Sequence, residues 1–150
     1  MSYSAVNRAV QQYQQVGVRG GVDVATPHRL IQMLLEGALD KISIARGHMQ
    51  RDEIAAKGRH VSWAISIIEG LRGSLDLDAG GDLARNLDAL YGYMKDRLLH
   101  ANLRNDIEAL DEVAELLSTV KEGWDGIPED YRNASRAEVD RMLREEGLKK

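Results

Sequence analysis

GGDLARNLDALYGYMKDRLLHANLRND, residues 80–106, is the stretch whose reading decides the fold. Leu83, Leu87, Leu90, Met94, Leu98 and Ala101 recur in it at steps of three and four, the spacing that gathers side chains on one face of an α-helix. Asp82 is placed to cap that helix, because its carboxylate can accept an amide proton of the first turn. Before it, residues 76–81 form a polar connection that ends in glycine. After it, Asn105 and Glu108 have the spacing of a capping box and open a further helix through Leu110, Val113, Leu117, Val120 and Trp124. Gly126 and Pro128 stop that helix.

Upstream, Thr26 followed by Pro27 forms a helix start, since threonine can accept an orphan amide and proline at the first position has none to waste. The stripe that follows is Ile31, Leu34, Leu35, Ala38, Ile42, Ala45 and Met49. Asp52 is read as the cap of a second stripe: Val61, Ala64, Ile65, Ile68, Leu71 and Leu75. Four apolar-striped helices of roughly 20 residues on short loops predict an all-α fold, an antiparallel up-down-up-down four-helix bundle. Two shorter pieces flank it. Val6, Ala9, Val10, Tyr13 and Val16 line one face of an N-terminal amphipathic segment on a tether through Gly17, Gly20 and Gly21. Ser135 and Glu138 open a C-terminal accessory helix with Val139, Met142 and Leu143, and Gly147 is placed to stop it. The division is a single domain over 1–150, with a core at about 26–125, a tether at 1–25 and an extension at 126–150.

Composition narrows the function. The chain has 43% hydrophobic residues, enough for a core, and no apolar run approaches the roughly 18 to 20 residues of a membrane span. The start also lacks the apolar stretch of a signal peptide, so a cytoplasmic location without membrane insertion is expected. With no cysteine there are no disulfides or thiolate metal sites, and a net charge of −4 offers phosphate backbones no attraction, so nucleic acid is not an expected partner. A di-metal bundle needs Glu-x-x-His pairs. Here Ala25, Ala45, Lys57 and Arg97 stand three residues before His28, His48, His60 and His100, so no metal or cofactor is expected. A phosphotransfer bundle would place Lys-Gly after its histidine, whereas Lys57 and Gly58 precede His60. Gly80 and Gly81 lack the Lys and Ser/Thr of a phosphate loop and read as a turn. No nucleophile and base can be paired, and an enzyme is not expected.

Several segments in this order resemble one known family over about residues 10–125: the FliS flagellar secretion chaperones. The resemblance rests on Tyr13 before the tether, on TPHRLIQMLLEGAL (26–39) and on AKGRHVSWAISIIEGLRGSLDL (56–77). It is carried furthest by the 80–106 stretch followed by LDEVAELLSTVKEGW (110–124). The resemblance implies a helical bundle that binds the disordered C-terminal region of flagellin in the cytosol and hands it to the export gate. It further implies that the Tyr13 segment folds back as a reversible plug, and that an anti-sigma factor and an export-gate component are additional partners. The residues after Gly126 depart from the family pattern, and no role is carried onto them.

The bottom-up reading has room for such a partner. Leu30, Ile44, Trp63, Ile67, Tyr91, Tyr93, Leu99, Ile107 and Leu116 are apolar residues outside the main stripes; they either widen the core or form a surface that accepts a helix. Asn86, Tyr93 and His100, spaced by seven, are expected to add polar handles beside it. The residues nominated for partner binding are Ile44, Ile67, Asn86, Tyr91, Tyr93 and Asn102, with Tyr13 added on the resemblance. An exposed groove would also permit a homodimer. The acidic run on the fourth helix, from Asp106 to Asp125, is read as a solvated face over a site for a basic partner. A generic regulatory bundle that binds some other helix is the competing reading.

Overall fold

Thr26 Oγ1 accepts the amide of Arg29 at 3.1 Å, and with Pro27 in the first turn this starts helix α1, Pro27–Gln50. The computed structural model describes residues 26–132, so the Tyr13 segment and the accessory helix expected after Ser135 lie outside the described residues. Three more helices follow: α2 (Ile54–Gly73), α3 (Gly81–Arg104) and α4 (Ile107–Asp125), with a short 3-10 turn at Glu129–Tyr131. α1 packs on α2 and α4, and α3 packs on the same two, so successive antiparallel helices close into a four-helix bundle.

Three caps differ from the sequence reading, and each difference has a local cause. Asp52 does not cap α2. It sits at φ 57°, a left-handed conformation that aspartate tolerates better than most residues, and makes the turn while Glu53 takes the cap position. Glu53 makes no side-chain cap bond; its Oε1 instead meets His48 Nδ1 at 2.8 Å and Arg51 Nε at 2.8 Å. Asp82 lies inside the first turn of α3, because the helix already starts at Gly81. The connection is shaped by Asp76, whose Oδ1 accepts the amides of Asp78 and Ala79 while its carbonyl accepts that of Gly80 at 2.7 Å. A Cβ on Gly80 would lie 2.6 Å from Ala84 Cβ, so only glycine fits this close approach.

The third difference is a shift by one residue. Asn105, at φ 55° and ψ 43°, ends α3 in the left-handed region, and Asp106 caps α4 by accepting the amide of Ala109 at 3.2 Å. With only these two residues between the helices, Asn105 must reverse the chain and cannot also cap. Asn105→Ala is expected to cost roughly 1–2 kcal/mol more than Asn105→Gly, the left-handed penalty of a residue with a Cβ and no local hydrogen bond, since both variants equally lose the Asn105 Oδ1 acceptor of the buried Lys57 ammonium. Urea unfolding of the two variants checks the order.

The core is built mainly from the expected stripes. Leu34, Leu35, Ala38, Ile42, Ala45 and Met49 of α1 meet Val61, Ala64, Ile68 and Leu71 of α2, Met94, Leu98 and Ala101 of α3, and Leu110, Val113 and Leu117 of α4. α3 is the exception at its start, where Leu83 is 69% exposed while Ala84 and Tyr91 are buried. Leu87 and Leu90 are half-buried against the core. The periodicity marks an apolar face wider than the neighbouring helices cover, and the first turn of α3 lies at its uncovered margin. Burial pushes the Tyr91 hydroxyl up to about 12. Gly37 and Gly70, which cost helix propensity, are buried in the packing of α1 and α2. Gly92 lies under the Arg72 guanidinium, which would stand 3.1 Å from an added Cβ.

Candidate partner-binding surface

Large apolar residues that the packing of the four helices leaves exposed mark the surface of interest. On α2 and α3 these include Ile54 (58% exposed), Leu99 (49%) and Leu103 (78%). Lys57 brings them to one end of the α2–α3 face, since its Nζ donates to Asn102 O at 2.9 Å and Asn105 Oδ1 at 2.8 Å. Ile54 precedes Lys57 on the side of α2 turned to α3, and Leu99 and Leu103 flank Asn102. Farther along, the face is crossed by Arg72–Asp88 at 2.7 Å and Lys95–Glu69 at 2.9 Å. The Arg72 hydrogen bond holds the Asp88 carboxyl below its usual range.

A second exposed strip follows the α3–α4 edge and contains Asn86, Tyr93 and His100. Two of these three expected handles are already engaged within the bundle. Tyr93 donates its hydroxyl to Glu112 Oε2 at 2.6 Å, Arg97 Nε donates to Glu112 Oε1 at 2.7 Å, and His100 Nε2 lies 3.1 Å from Asp106 Oδ2. The Tyr93 and Arg97 bonds hold the Glu112 carboxyl down, and the Tyr93 hydroxyl is raised by the same contact. The acidic run on α4 is partly accounted for in this way: Asp111 pairs with Arg46 and Asp125 with Lys121. Glu108, Glu115 and Glu122 face solvent.

The nominated residues therefore separate. Ile67 is fully buried and Tyr91 is 4% exposed, so both belong to the core and cannot form a partner surface in this packing. Ile44 and Asn102 are half-buried at helix edges, and Asn86 and Tyr93 are exposed. Tyr13 lies outside the described residues. Sequence reasoning singled out Leu99 but did not nominate it for binding, and it passed over Ile54 and Leu103. Their signal was a position off the main stripe without a polar replacement, which a pattern search for core residues discards.

The remaining aromatic and histidine groups are engaged structurally. His28 stacks on Trp124 with centroids 4.9 Å apart, and His60 donates Nδ1–H to Ala56 O at 2.8 Å. The Lys41 ammonium stands 4.3 Å from the centroid of the Trp63 ring, whose own Nε1 is buried without an acceptor. No group of three or more His, Cys, Asp or Glu among the described residues is arranged to hold a metal ion, and none of these helices is long and apolar enough to cross a membrane.

The model of the family described as flagellar protein FliS matches residues 9–131. The chain is similar to the flagellar secretion chaperone FliSB of Pseudomonas aeruginosa, 53% identical over 120 residues that cover 80% of this chain and 95% of the relative. It is also similar to the flagellar secretion chaperones FliS of Vibrio cholerae, 39% identical over 131 residues (87% of this chain, 96% of the relative), and of Salmonella typhimurium, 47% identical over 116 residues (77% and 86%). A helical bundle matched over most of its length by these relatives, the chain belongs to the FliS family of flagellar chaperones.

Proposed function

We propose that this chain is a cytosolic chaperone that binds the disordered C-terminal helical region of flagellin, prevents its premature polymerisation and supports its delivery to the flagellar type III export apparatus. The observation that carries the reading is the group of Ile54, Leu99 and Leu103, large apolar side chains left exposed on the α2–α3 face, outside the core that the four helices bury. A segment that folds as an amphipathic helix can lay its apolar side on such a face, and a side so occupied is no longer free to pack in a filament. Ile44, Asn86, Tyr93 and Asn102 extend the proposed surface along the helix edges. Ordering a disordered segment costs several kcal/mol, so the occupant must wrap a large area, on the order of 2,000 Å² in total.

Isothermal titration with the C-terminal segment of flagellin from the same organism tests the reading. One-to-one binding with a strongly negative heat-capacity change is expected, because apolar burial has that signature. Absence of binding, also with residues 1–16 removed, would overturn it and return the chain to the class of bundles with some other helical partner.

A further inference from the structure

Two lysines of the bundle are buried, Lys41 and Lys57, each 4% exposed. Their surroundings differ. Lys41 has Asp40 Oδ2 at 3.4 Å and the face of Trp63 beside it, so its charge meets both an anion and a ring. Lys57 has only two neutral oxygens, Asn102 O and Asn105 Oδ1, and joins none of the ion pairs among the described residues. A buried ammonium is costly without an opposite charge, and the free carbonyls at the end of α3 supply only about half of one. Of its three N–H donors, two are used.

The position of Lys57 gives this imbalance a direction. It lies where the α2–α3 face ends, beside the exposed Ile54, Leu99 and Leu103. Gly58 leaves the backbone bare next to it; only Asn102 Oδ1, at 3.8 Å, would come within reach of an added Cβ there. Asn105, which provides one of the two acceptors, is itself exposed. Its amide can swing into solvent and leave its place on the ammonium to a stronger acceptor, a carboxylate oxygen.

We propose that Lys57 anchors the chain-terminal carboxylate of a partner segment seated on the face of Ile54, Leu99 and Leu103. This deepens, and rests on, the reading that the segment is the C-terminal region of flagellin. A terminal carboxylate reaches Lys57 where both the segment and the face come to an end. A carboxylate within the segment would instead be held over apolar side chains, where losing water is unfavourable. The unpaired carbonyls at the end of a bound helix add further negative charge at the same point.

The test is a double-mutant cycle by calorimetry: wild type and Lys57→Met, each titrated with the flagellin C-terminal segment as the free acid and as the C-terminal amide. Amidation is expected to weaken wild-type binding roughly tenfold and to leave Lys57→Met binding unchanged, since a hydrogen bond to a charged group is worth about that factor. Lys57→Arg, which keeps the charge, should keep the amidation effect, and a thermal melt of each variant confirms that it folds. Equal affinity of wild type for acid and amide overturns the proposal while the flagellin reading stands. An equal loss for both peptides in Lys57→Met also overturns it, because the contact is then not to the terminus. No binding of either peptide to wild type overturns both.

Discussion

Replacing Leu99 and Leu103 together by aspartate is expected to weaken binding of the flagellin C-terminal segment by on the order of 100- to 1,000-fold, because each leucine contributes roughly 1.5–3 kcal/mol when a partner covers it. The two carboxylates would also have to lose water under the segment, which adds to the loss. Stability should change modestly, since the side chains are 49% and 78% exposed and the substitution costs helix propensity, about 0.5 kcal/mol at each position, plus about 0.3–1 kcal/mol for a carboxylate in the last turn of α3. The double variant should therefore melt as one folded species and fail in calorimetry. Leu98→Ala is the control: Leu98 is fully buried one residue away, and its loss should cost about 2–5 kcal/mol of stability through the cavity it leaves. Wild-type affinity in the Leu99, Leu103 double variant would move the binding surface away from the α2–α3 face.

Trp124→Ala carries the second large effect, and it falls on stability. Trp124 closes the bundle at the end where α1 begins and α4 finishes, through two hydrogen bonds that run in opposite directions. Its Nε1 donates to His28 O at 2.9 Å, and His28 Nε2 donates to Trp124 O at 2.8 Å. The rings lie nearly parallel, 9° apart, in a contact between residues 96 positions apart in the chain. Removing the indole deletes the stack and the first bond, so a loss of about 3–5 kcal/mol is expected, a large part of the 5–15 kcal/mol by which ordinary domains are stable. Trp124→Phe keeps the stack but not the donor, and should lose about 1–2 kcal/mol. Urea unfolding of both variants gives the comparison; a Trp124→Ala midpoint equal to wild type would mean that the two helix ends are held together by something else.

Most of the fold was legible because helix periodicity is a local property. Thr26 and Pro27 start α1 as read, Gly126 ends α4 as read, and the stripes of α1, α2 and α4 form the core. The failures cluster at connections. Asp52 and Asn105 each carry a side chain suited to a cap and were read so, yet both are needed in left-handed turns, and the residue that follows takes the cap position. Which of two adjacent polar residues caps and which turns depends on how far apart the joined helices must lie, a distance that no local pattern contains.

The surface was less legible than the fold. Ile67 and Tyr91 looked like surplus apolar residues, but helices that each pack on two neighbours bury more than one stripe, and both are core. Tyr93 and His100 looked like free polar handles, but Glu112 of the adjacent α4 meets Tyr93 and Asp106, in the turn between α3 and α4, meets His100. By itself the sequence determined the helices and the stripes that form most of the core, because these follow from spacing along one chain, and its segments carried the resemblance to the flagellar chaperones. Only the tertiary structure decided which apolar residues stay exposed and that the Lys57 ammonium is buried without a carboxylate, because burial and charge compensation depend on the neighbour each helix face meets.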